Sequence, residues 1–300
     1  MNRAMLDFRI FSDLLRRHPA PTSNVPGFEV RGHALSFDRT QLVGVINLST
    51  DSWYKESVCS TAEEGIARGR ALAQAGARII DIGAESTLPD ATRRSVEEQI
   101  DMLLPVVEPL VGEGLIVSVE SYAPEVLLRL AEAGAQVFNL TGMKEADEVF
   151  ALAKRFEVGV ILCYVQGDNP REVEAFERAE DMTGHLLEYF RGLLGRAEAK
   201  GVSRCFVDPG LGFYYKNLGD SRARVTHQMD TFANAYRLWE LGKPVFNILP
   251  HAPEAFGAAE RRAGEPFFAV LAALGGTHVL RTHEVERVRR VLDAMEMYRP

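Results

Sequence analysis

Two hydrophobic rhythms alternate along the chain. Short apolar-rich runs, such as "QLVGVINL" from Gln41 to Leu48, have the continuous apolar character of a strand covered on both faces. Between such runs, apolar residues fall at helical spacing, as in "TAEEGIARGRALAQAG", where Thr61 caps the start, Glu64 stands in capping-box position and Gly76 closes the end. The later strand-like runs are "ARIIDIG", "LIVSVES", "AQVFNL", "VGVILCYV", "SRCFVD", "PVFNIL" and "THVLR". The intervening pattern predicts helices over "SVEEQIDMLLPVVEPLV", "APEVLLRLAEAG" and "KEADEVFALAKRF", then a long one from Arg171 to Lys200. It continues with an unbroken helix over "SRARVTHQMDTFANAYRLWELG", one ending at Gly275 and a last one over "HEVERVRRVLDAMEMY".

Strands that alternate with helices pair in parallel through right-handed crossovers. Eight such units, read along the sequence, fill the roughly 250 residues of a closed (β/α)8 TIM barrel, an α/β fold of one domain. An open doubly wound sheet is the structural alternative, but eight consecutive units leave no point at which the strand order reverses. Upstream, "FEVRGHALSFDRT" alternates apolar and polar residues around Gly32, as a hairpin that closes the barrel floor would. The expected organisation is an N-terminal extension over 1–27, containing a short amphipathic helix, and a barrel domain over 28–300.

The strand-like runs end in polar residues. Asn47 ends the first, "DIGAEST" from Asp81 to Thr87 the second, Glu120 the third, Asn139 the fourth, Asp208 the sixth and Arg281 the eighth. In a parallel barrel all C-terminal strand ends converge on one mouth, where the loops of such folds carry the chemistry. Each of these residues taken singly also fits a loop or helix cap, because a polar group leaving a core strand needs a hydrogen-bond partner in any case.

Composition narrows the partners. A hydrophobic content of 46%, a charged content of 25% and a net charge of −8 describe a globular chain with no basic surface for nucleic acid. No apolar run approaches the ~20 residues needed to span a bilayer, and Arg and Asp interrupt the first apolar stretch where a signal peptide would be continuous, so a cytoplasmic location is expected. Cys59, Cys163 and Cys205 lack paired spacing, which points to reduced structural thiols. No Gly-rich phosphate loop, H-E-x-x-H helix or G-x-S-x-G elbow occurs. The expected partner is a small molecule.

The blocks "GVINLSTDSW", "GARIIDIGAEST", "VSVESY", "GAQVFNLTG", "VDPGLGF" and "VLRTHEV" resemble, in order, the signature blocks of the dihydropteroate synthase family, pterin-binding TIM barrels of folate biosynthesis. That family is a transferase class: it condenses the diphosphate ester of a hydroxymethyl dihydropterin with p-aminobenzoate, using Mg2+ and releasing pyrophosphate. The resemblance implies that Asn47 meets the diphosphate and the metal, that Glu120, Asn139 and Asp208 hold the pterin, and that Arg281 and His283 bind the diphosphate. It also places Thr87 in the substrate site; no residue is assigned as acid, base or nucleophile. Physical sense supports these roles, since a carboxylate accepts from adjacent N–H donors and Arg offers a fixed fork to phosphate. Trp53 and Tyr54 fit a lid over a flat ring, or packing against a neighbouring loop. Dimers are usual in the family, so a homodimer is an expectation here.

The departures fall unevenly. After the seventh strand the family's Ser-Arg-Lys run is replaced by Pro250, His251 and Ala252, and Leu88 stands in place of an arginine after the second strand. Both changes remove cations from the aminobenzoate side, leaving its carboxylate uncompensated unless Arg93 or Arg94 reaches over from the same loop. Glu120 is one methylene longer than the family's aspartate, and Leu140 stands where an acid usually follows the asparagine. The expectation is therefore a synthase-like transferase with an altered p-aminobenzoate site. The alternatives are an ordinary dihydropteroate synthase in which His251 or Arg93 compensates, a pterin-dependent methyltransferase-type domain, and a non-catalytic pterin-binding protein.

Overall fold

A β-strand sends alternate side chains to opposite faces, and this period organises the molecule. The computed structural model describes residues 7–49, 55–86, 91–142, 144–167, 176–213, 221–250 and 252–298. A hairpin of β1 (Phe28–Val30) and β2 (His33–Leu35) precedes the barrel strands β3 (Gln41–Asn47), β4 (Ile79–Gly83), β5 (Ile116–Glu120), β6 (Val137–Leu140), β7 (Gly159–Cys163), β8 (Cys205–Asp208), β9 (Phe246–Ile248) and β10 (Val279–Thr282). The eight barrel strands lie in the order β8-β7-β6-β5-β4-β3-β10-β9, with the paired neighbours parallel. A parallel bridge between Val207 and Val245 brings the two ends of that row together. The barrel read from the sequence is the observed fold.

Each barrel strand contributes one residue to an apolar layer at the floor: Val43, Ile79, Ile116, Val137, Ile161, Phe206, Phe246 and Val279. The hairpin seals this layer from below. Val30, Leu35 and Phe37 join the same cluster, and Phe28 and Phe37 meet Phe206 edge-on at 5.1 and 5.8 Å. A second, larger core lies between the sheet and the surrounding helices.

The outer ring comprises α2 (Ala62–Gln74), α3 (Val96–Gly112), α4 (Pro124–Glu132), α5 (Ala146–Phe156), α6 (Met182–Ala199), α7 (Ser221–Ala233), the short α8 (Pro253–Phe256), α9 (Gly264–Leu274) and α10 (Val285–Met297). Thr61 caps α2 as its sequence position predicts, by accepting from the Glu64 amide. Ser95 and Glu98 form a complete capping box on α3, so Ser95→Ala is expected to cost about 1 kcal/mol in urea unfolding. Amphipathic helix α1 (Phe8–Arg17) of the N-terminal segment buries Leu14, and the chain after it is tied to the barrel flank by Tyr236, whose hydroxyl donates to the His18 carbonyl.

Two helices differ from the pattern. Of the helix expected from Arg171 to Lys200, residues 171–175 lie outside the described residues; α6 begins at Met182, where Asp181 accepts from the Gly184 amide and sets the start. The single helix expected from Ser221 to Gly242 ends as α-helix at Ala233 and continues as a 3-10 helix from Ala235 to Leu241. At that junction Thr231 and Asn234 donate side-chain hydrogen bonds to the carbonyls of His227 and Asp230, drawing on the acceptors of the helical ladder. Cys59, Cys163 and Cys205 are free and buried. Among the described residues, no helix is long and apolar enough to cross a membrane.

Candidate active site

Two residues above the apolar floor, six of the eight inward positions lose their aliphatic or aromatic side chains, Val45 and Ile248 being the exceptions. Asp81 follows Ile79, Ser118 follows Ile116, Asn139 follows Val137, Cys163 follows Ile161, Asp208 follows Phe206 and Arg281 follows Val279. The next step up holds Asn47, Gly83 and Glu120, with His283 just beyond β10. The strand period that buries the floor thus delivers a polar tier to the C-terminal mouth.

Asp81 is the centre of that tier. Its carboxylate, fully buried, accepts from the Ser118 hydroxyl at 2.6 Å, the Asn139 amide at 3.2 Å and Arg281 Nε at 2.7 Å. Arg281 Nη2 reaches Glu120 at 3.4 Å, so one guanidinium links two carboxylates from adjacent strands. The Arg281 side chain is only 11% exposed, and its neighbours Asp81, Glu120 and Asp208 favour its charged form against the cost of burial. The extra methylene of Glu120 has a visible consequence: its carboxylate lies over Gly83 and meets Arg281.

Asp208 ends β8 across from Cys163. Burial pushes its carboxyl up to about 6, a rise that Asp81 adds to, while the Gly210 amide, the Cys163 thiol and Arg281 counteract it. Gly210 donates to Asp208 at 2.9 Å from a left-handed turn with φ 76° that carries its backbone against the Tyr164 carbonyl, where a Cβ would collide. The Cys163 thiol is itself pushed well up by burial and by Asp208, so it remains protonated.

At the other side of the mouth Asn47 Nδ2 donates to Ser57 Oγ at 2.5 Å. His283 is clamped by Glu265, a fully buried acid in the first turn of α9. Glu265 accepts from the backbone amides of His283 and Glu284 and from the Thr282 hydroxyl, so its contact with His283 Nδ1 at 3.1 Å is one in which the ring donates. Burial, with Arg281 and Arg68 nearby, lowers His283 to about 3 and keeps the ring neutral. Nε2 then carries the lone pair.

Glu120, Asn139 and Arg281, picked out in the sequence, are therefore brought together, and Asp208 shares their tier. Asn47 and His283 stand above it on β3 and after β10, which are neighbours. Thr87, Leu88, His251, Trp53 and Tyr54 lie outside the described residues. Ala252, where the resemblance led us to look for a lysine, is buried in the left-handed conformation at the start of α8. Asp81, named in the sequence only as the start of the polar block after the second strand, and Glu265, not named at all, prove central to the cluster. Asp81 left a signal, a charge in the middle of the apolar run "IIDIG"; Glu265 left none, since an acid in a first helical turn ordinarily serves the helix dipole.

Comparison with known proteins decides the family. The model of the family described as "Pterin binding enzyme" matches residues 43–283. The chain belongs to the pterin-binding enzyme family. Within it, the chain is 28% identical over 276 residues to dihydropteroate synthase of Escherichia coli K12, covering 89% of this chain and 94% of that protein. The dihydropteroate synthase of Thermus thermophilus in complex with 4-aminobenzoate superposes with a TM-score of 0.76 at 28% identity, over 91% of this chain and all (100%) of that one. The Xanthomonas albilineans enzyme in complex with 7,8-dihydropteroate gives 0.73 at 27% identity, over 91% and 98%. This pterin-binding enzyme is thus a divergent relative of dihydropteroate synthase.

Proposed function

We propose that the chain is a dihydropteroate synthase-like transferase, which joins a pterin carried as its diphosphate ester to an amine at a second-substrate site different from that of its relatives. The observation that carries this reading is the polar tier of Asp81, Asn139, Asp208 and Arg281 above a sealed apolar floor. In the reaction the C–O bond to the diphosphate breaks, the amine nitrogen forms the new C–N bond and loses its proton, and pyrophosphate departs.

In this reading Asp208 and Asn139 hold the polar edge of the pterin, one as pure acceptor and the other as donor and acceptor. Glu120 and Asp81 fix Arg281 so that its remaining amino group faces the ligand, where it stabilises charge growing on the leaving oxygen. His283, neutral and held by Glu265, stands beside it with an acceptor rather than a donor at Nε2, so Arg281 carries the charge stabilisation. Mg2+ fits here only in partnership with the substrate: the Asn47 side-chain oxygen would give one hard ligand and the diphosphate oxygens would complete the shell. Its chemistry would be to neutralise the departing diphosphate.

One observation favours a second reading, a pterin-binding barrel without diphosphate chemistry: Arg281 already commits two donors to Asp81 and Glu120. Calorimetry separates the two. A transferase should bind the pterin diphosphate at least tenfold more tightly than the pterin alcohol, about 1.4 kcal/mol, with Arg281→Lys, which keeps a charge for Asp81 but loses the fork, reducing the gap. Equal affinities, with no pyrophosphate released in the presence of any amine, would leave the second reading standing.

A further inference from the structure

On the flank of the barrel a cleft of about 500 Å3 opens between the N-terminal segment, the start of α6 and the second half of α7. None of its lining residues belongs to the polar tier at the mouth. Leu14 and Met182 line it beside Arg17 and His18, and its most buried residues are polar: Thr183, His227 and Thr231 are 4, 7 and 3% exposed. Two acids in the cleft are already engaged. Asp181 accepts from Arg237 at 2.8 and 2.6 Å and from the Gly184 amide, and Arg237 above all holds its carboxyl down to about 2. Asp230 pairs with Arg178.

The groups left over are mostly donors. Arg178 uses one amino group of its guanidinium, on Asp230, and Arg17 uses only Nε, on the Asp13 carbonyl. The Thr183 hydroxyl and the first two amides of α6, those of Met182 and Thr183, have no acceptor among the described residues. These amides stand at the positive end of an 18-residue helix. Glu180 is the one lining acid without an ion pair among the described residues, and it is exposed. His227 is the observation that calls for a ligand. Its ring packs on Phe176 with centroids 5.1 Å apart, and its buried Nδ1 has no hydrogen-bond partner. Burial, with Arg178 nearby, lowers His227 to about 4, so the ring is neutral and carries a single proton. Nε2, also without a partner among the described residues, is the nitrogen open to the cleft. A buried donor left unmade is the costlier loss, which places the proton on Nε2, where a ligand can accept it.

We infer that this cleft is a second ligand site, independent of the mouth, and that its ligand is a small organic phosphate. The phosphate oxygens accept from Arg178, Thr183, His227 and the first amides of α6, and a ring or other apolar body lies against Leu14 and Met182. A helix N-terminus flanked by arginine suits phosphate, because the amides and the guanidinium fork both present N–H donors to its oxygens. The volume of the cleft is that of a site for a whole small molecule rather than a bare ion.

The test titrates AMP, adenosine and inorganic phosphate calorimetrically into the full chain. AMP should bind saturably, about tenfold or more tighter than adenosine and tighter than inorganic phosphate, which should compete with it. Arg178→Ala should weaken AMP about tenfold or more while leaving adenosine within about twofold, and Thr183→Val and Arg17→Ala should each weaken AMP severalfold. Arg281→Lys, at the mouth, should leave AMP within about twofold. If Arg178→Ala does not fold, the Thr183 and Arg17 variants decide the matter, since one is isosteric and the other exposed. Equal affinities for AMP and adenosine would overturn the inference, because the phosphate would then not be recognised. Inorganic phosphate as tight as AMP would overturn it too, reducing the cleft to a bare-ion site. So would AMP binding that is lost in Arg281→Lys but kept in the three cleft variants, which would put the phosphate in the mouth. Absence of saturable binding by both AMP and inorganic phosphate would leave the cleft without this ligand.

Discussion

Asp81→Ala should destabilise the protein by roughly 3–5 kcal/mol, the cost of stranding a buried charge whose partner has been removed. Arg281 would keep only the longer contact to Glu120, at 3.4 Å, and the Ser118 hydroxyl and Asn139 amide would each lose the acceptor they now share. Against a total of about 5–15 kcal/mol for a natural domain, that is a large fraction. Urea unfolding followed by far-UV circular dichroism measures it. The control is a paired replacement, Asp81→Leu with Arg281→Met, which removes both charges and should be far less damaging than the single change, because the pair's mutual attraction roughly offsets its desolvation. A loss under about 1 kcal/mol for Asp81→Ala would mean that Arg281 finds another partner, and that Asp81 is not the centre of the tier.

The same pair explains what could and could not be read from the chain. The architecture was legible because it is written in local period: apolar strands, helical stripes, and caps such as Thr61 and the Ser95–Glu98 box. The candidate tier was legible for the same reason, since Glu120, Asn139, Asp208 and Arg281 each stand at the end of an apolar strand whose inward positions are fixed by alternation. Asp81 was harder to read. Its meaning depends on Arg281, a partner 200 residues away in the chain, and in sequence both look like isolated charges. Glu265 and His283 are closer, 18 residues apart, but only the docking of α9 beside the end of β10 turns a helix-start acid into a clamp on an imidazole. The overlong helix predictions failed where side chains compete with the backbone ladder: Asp181 began α6 late, and Thr231 and Asn234 ended α7 early.

Affinity for the pterin ring should depend on pH through Asp208. Its carboxyl is raised to about 6 from an ordinary 3.8, chiefly by burial. N–H donors of a ring bind the ionised form, so complex formation pulls this value down and, below about pH 6, expels a proton. Binding of the pterin alcohol, which leaves the phosphate site empty and so isolates the ring, should be flat above pH 6–7 and weaken up to about tenfold per pH unit below it. Calorimetry in two buffers of different ionisation enthalpy reads the proton directly. The sign for folding is opposite: a carboxyl raised in the folded state holds its proton more firmly than the unfolded chain does, so its ionisation is a penalty present above about pH 6 and relieved as the pH falls toward 4. Asp208→Asn should therefore gain stability, on the order of 1–3 kcal/mol at pH 8 and little near pH 4. It should at the same time weaken pterin binding about 10- to 100-fold, because charge-assisted bonds worth roughly 1.5–3 kcal/mol are replaced by an amide that presents a donor where the ring needs an acceptor. A variant that is stabler at pH 8 yet binds the pterin as well as the parent would show that Asp208 is strained for some other ligand. A variant that loses both stability and binding would show that the carboxylate is held there by the fold rather than for the ring.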